Sequence, residues 1–256
     1  MSGEGPTGTA GRIPQPGAHE PASDRLAALL ETLGLEPSPP APCPYLPGRD
    51  SRLVVVRPKR LPAQLYHTFM DLNFRRLGEV VYRPECGSCR ECHQLRVRAR
   101  EFRPSRAQRR CARRNADVTI ETHAPEATPE KHLVYQRYLA ARHDGQMSGS
   151  WLEFVEFVHA AAPFTREVVF RVSGRLLGAG IFDVTPLALS AVYFYFDPAL
   201  AKRSPGVLNV LWLLQECGRL GARWLYLGFH VCGCDTMSYK KSFRPNEILG
   251  ADGRWR

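Results

Sequence analysis

The chain has 256 residues, 35 Lys+Arg against 25 Asp+Glu and a formal net charge of +10, with 44 % hydrophobic and 10 % aromatic residues. That balance excludes a wholly disordered or collagen-like chain and gives length enough for one large cored domain or two small ones. The charge is concentrated: the 19 residues from Arg96 to Arg114 hold nine arginines and one acid, Glu101, a net of +8. A local field of that kind points to an anionic partner or to a solvated basic face.

Residues 1–23, rich in Gly, Pro, Ser and Thr and without the basic-then-apolar order of a secretion signal, read as a disordered leader. No run approaches the roughly 18 consecutive apolar residues of a membrane helix. A cytoplasmic location without a membrane partner is expected, where the eight cysteines are thiols or metal ligands rather than disulfides. Asp24 to Leu33 is predicted as a helix with Leu26, Leu29, Leu30 and Leu33 on one face, ended by Gly34. The Pro-rich run 37–47 cannot be helical. Ser51 to Val56 is predicted as a strand, Pro62 to Asn73 as a helix with Leu65, Phe69 and Leu72 inward, and Val80 to Tyr82 as extended.

Cys86-x-x-Cys89-x-x-Cys92 is the most specific local signal, because two-residue spacers let thiolates converge on one ion or cluster. Cys43, in Pro42-Cys-Pro-Tyr-Leu-Pro47, is the candidate fourth ligand, and the set suits structural zinc or an iron–sulfur cluster equally. A tight loop of small half-buried residues is the alternative. Cys111 and Cys217 lie within helical patterns and read as packing residues.

From Leu95 to Arg100 apolar residues alternate with Arg96, Arg98 and Arg100, the pattern of a half-buried strand with a basic outer face. After Pro104, Arg106, Arg109, Arg110 and Arg113 recur at helical spacing as one stripe, which faces solvent or a polyanion. Helices are predicted at Glu130 to Arg142 and Ser150 to Ala160, then strands at Glu167 to Val172, Leu176 to Val184 and Leu189 to Phe196, with a hairpin turn at 173–175. A helix from Val207 to Leu220 and a strand from Trp224 to Val231 follow. Three antiparallel strands, a helix and a strand able to pair in parallel are the element order of an acetyltransferase-type fold.

Taken together the pieces resemble one family, the bacterial aminoacyl-tRNA–protein transferases, the leucyl branch related to eukaryotic arginyltransferase. The resemblance is carried by Cys43-Pro-Tyr-Leu-Pro47, Asn73-Phe-Arg-Arg76, Tyr82-Arg-Pro84 with the three cysteines, the segment Phe102 to Arg110, and Arg113-Arg-Asn115. It continues through Arg142-His143, Tyr195-Phe-Asp-Pro198, Arg203-Ser204, Tyr226-Leu-Gly228, Tyr239-Lys240 and Phe243-Arg-Pro245. Departures from the family pattern are Leu77, Pro205, Phe229-His230 and Thr236, which bear on donor and acceptor preference more than on fold.

The resemblance implies an α+β chain: a Cys-rich, basic N-terminal domain at 24–125, then an acetyltransferase-like domain with a mixed central sheet at 126–256. It further implies transfer of an amino acid, leucine favoured over arginine, from aminoacyl-tRNA to the N-terminal Asp or Glu of acceptor proteins, which marks them for degradation. The aminoacyl ester is already activated, so no cofactor is needed for bond making. A terminal amine with pKa near 7.7–8.0 is partly neutral at cellular pH, and positioning supplies much of the acceleration.

Candidate roles follow by chemistry. Arg106, Arg109, Arg110 and Arg113 suit tRNA phosphates, and Ser204 and Gly206 open a helix whose free N–H groups make an anion site. Arg75, Arg76, Lys240 and Arg244 are candidates for the acceptor carboxylate. Tyr195, Asp197 and Tyr239 are candidate catalytic residues, with capping the alternative for Asp197 and packing for Tyr239. No general base is identifiable; His143 in its turn and His230 are weak candidates. Two other readings remain: a CoA-dependent N-acetyltransferase, for which Arg203-Ser-Pro-Gly206 is a poor pyrophosphate turn, and a non-catalytic metal-dependent RNA-binding module. DNA is not an expected partner.

Overall fold

The alternating segment after the cysteines becomes an inner strand of the largest sheet, because both of its edges find a partner. A computed structural model describes residues 22–142, 148–160 and 162–256; residues 1–21 of the predicted leader and His143 lie outside the described residues. In chain order the elements are α1 (Ala22–Thr32), β1 (Ala41–Pro42), β2 (Asp50–Ser51), β3 (Leu53–Val56), α2 (Ala63–Asp71), β4 (Arg75–Leu77), β5 (Val80–Pro84) and β6 (Cys92–Arg98). There follow α3 (Arg106–Arg114), β7 (Val118–His123), α4 (Pro129–Arg142), α5 (Trp151–Glu153), β8 (Thr165–Val172), β9 (Arg175–Val184) and β10 (Ala188–Phe196). The chain ends with α6 (Pro205–Leu220), β11 (Trp224–Val231), α7 (Asp235–Ser238) and β12 (Asn246–Ile248).

Seven strands form the central sheet in the order β12-β6-β11-β10-β9-β8-β7. Among these described strands only β10 and β11 pair in parallel, joined through α6; the other neighbours are antiparallel. This is the α+β, acetyltransferase-like arrangement with a mixed central sheet. It draws β6 and β7 from before residue 125, so the two halves of the sequence reading share one sheet. A smaller sheet, β3-β5-β4, packs with α1 and α2 against Ala188, Trp224 and Tyr226.

Apolar burial holds these layers together. On one face of the large sheet Leu95, Val97, Leu177 and Leu225 meet Cys111 of α3 and Leu208, Leu211 and Cys217 of α6. On the other, Val169, Ile181 and Tyr195 meet Val134, Tyr135 and Leu139 of α4. Each fully buried Leu or Val side chain contributes about 2 kcal/mol. Cys111 and Cys217 are buried packing residues, as expected.

Several expectations are corrected. In α1, Leu26 and Leu30 are buried while Leu29 and Leu33 are more than half exposed, because one side of a short helix reaches only two leucines down to α2. The strand predicted from Ser51 breaks at Arg52, whose N–H and C=O turn to the Cys86 sulfur. The helix predicted at 150–160 is one α turn capped by Ser150 followed by a π turn, Phe154–Val158. The outer face of β6 is not a free basic surface. Arg96 lies between the rings of Trp224 and Trp255, 3.9 Å from each centroid, and pairs with Glu247; Arg98 pairs with the same carboxylate.

Candidate active site

The parallel pairing of β10 and β11 covers Ala188↔Trp224, Leu189↔Leu225 and Ser190↔Tyr226. Beyond it each strand carries an irregularity, β10 between Ala191 and Tyr193 and β11 between Tyr226 and Phe229. Such irregularities free backbone groups and re-aim side chains. Arg75 of β4 enters there. Its Nη2 donates to the carbonyls of Ala191 and Val192 at 3.1 and 3.0 Å, and its Cζ lies 5.6 Å from the Phe229 ring centroid. Gly228, with φ +71°, makes the room: a Cβ at that position would lie 2.4 Å from the Arg75 Cζ.

No carboxylate pairs with Arg75 among the described residues. Burial works against its charge, and the groups favouring it are the phenols of Tyr82, Tyr45, Tyr66 and Tyr239. A half-buried guanidinium that donates only to main-chain carbonyls keeps the capacity to pair with an incoming anion. Lys240 comes to the same place from the other side: 6 % exposed, its Nζ donates to the Phe229 carbonyl at 2.6 Å. Burial, aided by Arg75, pushes its ammonium down to about 7.

The remaining candidates are placed as follows. Arg76 is 2 % exposed and held by Asp183, with Nε and Nη2 both at 2.8 Å from its oxygens, and by Thr165. Arg244 is exposed beside Lys241 and Asn246, apart from Arg75. Tyr195 is fully buried under α4, 3.4 Å from the Nε2 of His159. Asp197 caps the following turn by accepting from Ala199 N–H at 3.0 Å and pairs with Arg175. Tyr239 is partly exposed with its ring edge-on to Phe243.

Arg106, Arg109, Arg110 and Arg113 are exposed, while Gln108 and Cys111 fill the inner face of α3. Ser105 and Gln108 close a reciprocal cap at its start. The far end of α3 is tied to the entry of α6: Asn115 donates to Arg203 O at 2.9 Å, and Arg203 pairs with Asp117 at 2.8 Å. The arginine stripe and the α6 N-terminus thus share one region. Ser204 holds a left-handed φ of +56° and makes no side-chain cap, and nothing crowds the Cα of Gly206.

A cavity of about 610 Å³ runs from the cysteines to Phe229, lined among others by Cys43, Tyr45, Tyr82, Cys86, Cys89 and Cys92. Asn73, at φ +66°, joins this loop to β6 by donating to Cys92 O and accepting from Gln94 N–H, both at 2.9 Å. Burial and the neighbouring Cys43, Cys86 and Cys89 push the Cys92 thiol up to about 12. The four sulfurs therefore share one neighbourhood. Among the described residues, however, no three His, Cys, Asp or Glu side chains are arranged as a ready metal-ligand set, and the Cys86 sulfur is engaged by the backbone of Arg52.

Sequence reasoning passed over Phe229 as a mere departure, though it is the residue that both Arg75 and Lys240 touch. Gly228 lies in Tyr226-Leu-Gly228, but the room it makes is visible only beside Arg75.

Two family profiles match the chain: "Arginine-tRNA-protein transferase, N terminus" over residues 41–110 and "Arginine-tRNA-protein transferase, C terminus" over 130–250. The chain is 39 % identical over 230 residues to an aspartate/glutamate leucyltransferase of Alcanivorax borkumensis, covering 89 % of this chain and 95 % of that one. It is 40 % identical over 222 residues to the enzyme of that name from Halorhodospira halophila, covering 84 % and 92 %. Among solved structures, the C-terminal domain of a putative lysylphosphatidylglycerol synthetase from Agrobacterium fabrum superposes with a TM-score of 0.45 at 16 % identity, over 74 % of this chain and 66 % of that one. With both halves matched in order and identity near 40 % over most of its length, the chain belongs to the aminoacyl-tRNA–protein transferase family.

Proposed function

We propose that this chain is an aspartate/glutamate leucyltransferase, moving leucine from leucyl-tRNA to the N-terminal Asp or Glu of acceptor proteins and so marking them for degradation. The observation that carries the reading is Arg75, a partly buried cation without a carboxylate partner among the described residues, at the opening between β10 and β11. The acceptor side-chain carboxylate pairs with Arg75, which holds the acceptor α-amine at the aminoacyl ester. Tyr239 is the candidate donor to the developing oxyanion. The α3 arginines and the α6 N-terminus grip the phosphates of the tRNA acceptor end.

The test is a transfer assay with labelled leucyl- or arginyl-tRNA and peptides that begin with Asp, Glu or Asn. Leucine incorporation into the Asp and Glu peptides alone is expected. Acetyl-CoA turnover without tRNA, or transfer indifferent to the acidic side chain, overturns the reading.

The cysteines are not needed for bond making. We propose Cys43, Cys86, Cys89 and Cys92 as soft ligands for zinc or an iron–sulfur cluster, for which Cys86 has to release Arg52. Metal and iron analysis of anaerobically purified protein, with Cys43→Ala as control, tests this; stoichiometric metal lost in the variant is expected, and metal-free protein overturns it.

A further inference from the structure

Phe229 is touched by a cation on each side: the Arg75 guanidinium over its ring and the Lys240 ammonium on its carbonyl. One of the two is permanently charged, and the other is an amine that can exist without its proton. We propose that Lys240 is the proton acceptor for the α-ammonium of the acceptor protein, working beside an Arg75 that holds the acceptor's acidic side chain. This rests on the reading of the chain as an aminoacyl transferase, and it reassigns Lys240 from carboxylate binding to proton transfer.

Lys240 is fixed by one hydrogen bond, to Phe229 O, at the level where β10 and β11 cease to pair. Among the described residues no carboxylate pairs with it to hold it as an ammonium. The groups facing it are Arg75 from β4, Cys234 ahead of α7, His230 on β11, and its own neighbours Tyr239 and Lys241. Arg75 disfavours the charged form and Cys234 favours it, with burial outweighing both; the outcome near 7 leaves a large neutral fraction at cellular pH. Burial first, then Lys241 and Lys240, disfavour the charged form of His230.

The step balances. The acceptor α-ammonium gives one proton to Lys240 Nζ, and the freed lone pair attacks the ester carbonyl carbon to form the C–N bond. The bond from that carbon to the ribose oxygen breaks, its electron pair going to the oxygen. That oxygen takes the second proton shed by the nitrogen, and Lys240 releases its own proton to solvent.

The test is the pH dependence of kcat/KM for leucyl transfer by the full-length protein, on two acceptor peptides whose α-amines titrate differently. An enzyme step near pH 7 common to both peptides is expected. Lys240→Met is expected to lose about 100-fold or more in rate, to lose that step, to bind tRNA with unchanged affinity, and to regain activity with added small primary amines. Profiles in the wild type that follow only each peptide's own amine overturn the proposal, without any variant being needed. So does a Lys240→Met protein that melts like wild type and retains its rate. Absence of transfer from any aminoacyl-tRNA to any acidic peptide instead overturns the functional reading itself, whereas transfer without the common step overturns only the role of Lys240.

Discussion

Arg75 and Arg76 are neighbours in β4, and the strand turns them to opposite sides, so that one donates to the Ala191 and Val192 carbonyls beside the Phe229 ring while the other is locked to Asp183. On the proposed reading the two arginines separate function from stability. Arg76→Met leaves a buried aspartate unpaired and is expected to cost about 3–5 kcal/mol in urea unfolding. The double variant Arg76→Met/Asp183→Leu loses less than either single change, because both charges leave together. Arg75→Met is expected to stay within roughly 1 kcal/mol of wild type and to lose transfer to Asp and Glu peptides by about 10–100-fold, the worth of a charged hydrogen bond. An Arg75→Met protein that transfers normally removes Arg75 from the site.

Gly228 is a position where any side chain has to displace the Arg75 guanidinium. Its φ of +71° disfavours L residues, and the Cβ of an alanine would fall 2.4 Å from the Arg75 guanidinium carbon. Arg75 can yield only by leaving the Ala191 and Val192 carbonyls. Gly228→Ala is thus expected to raise KM for the acidic peptide while tRNA affinity stays unchanged. Binding titrations with tRNA and steady-state kinetics on the peptide separate the two; an unchanged KM would show that Arg75 does not seat the acceptor.

The α3 stripe is exposed and, among the described residues, unpaired with any acid, unlike Arg96 and Arg98. Neutralising Arg106, Arg109 and Arg113 together by Gln is expected to lower the slope of log Kobs for tRNA against log salt by about 2–3, near 0.7–0.9 for each phosphate no longer neutralised. Fluorescence titration from low to high salt gives the slope. Removal of Arg96, half-buried between two indoles, is expected to destabilise the region rather than change the slope.

How far the sequence could be read depended on how far apart the partners lie. The Arg stripe on α3 obeys a local period, and its placement on one exposed face needed no tertiary information. The strand at β6 was equally local, and its alternation is real. What period 2 could not show is that Glu247 and Trp255 return about 150 residues later to cover its outer face. Arg75 and Arg76 looked alike for the same reason, since Asp183 lies 107 residues from Arg76. The cysteine spacing was legible, but the approach of Cys86 to Arg52 depends on the β3–β5 pairing. No local pattern pointed to His159, whose surroundings come from the π turn, β10 and α4.

His159 provides a pH test of that buried region. Burial, with help from Lys131 and His123, pushes its imidazole down to about 3, and its Nδ1 is buried without a hydrogen-bond partner among the described residues. The folded protein therefore keeps it neutral, while the unfolded chain takes up a proton below about 6.5. Between those values the unfolded state binds more protons, so this contribution is fully present above pH 6.5 and is lost as the pH falls toward 3. From pH 7 to pH 5 the loss amounts to about 2 kcal/mol. Glu167, raised by burial, acts in the opposite sense, so the comparison has to isolate the histidine. His159→Gln retains a polar group toward Tyr195 but does not titrate. Urea unfolding at both pH values is expected to show a smaller acid loss in His159→Gln than in wild type, by about that amount; equal losses in the two proteins would place the acid-sensitive group elsewhere.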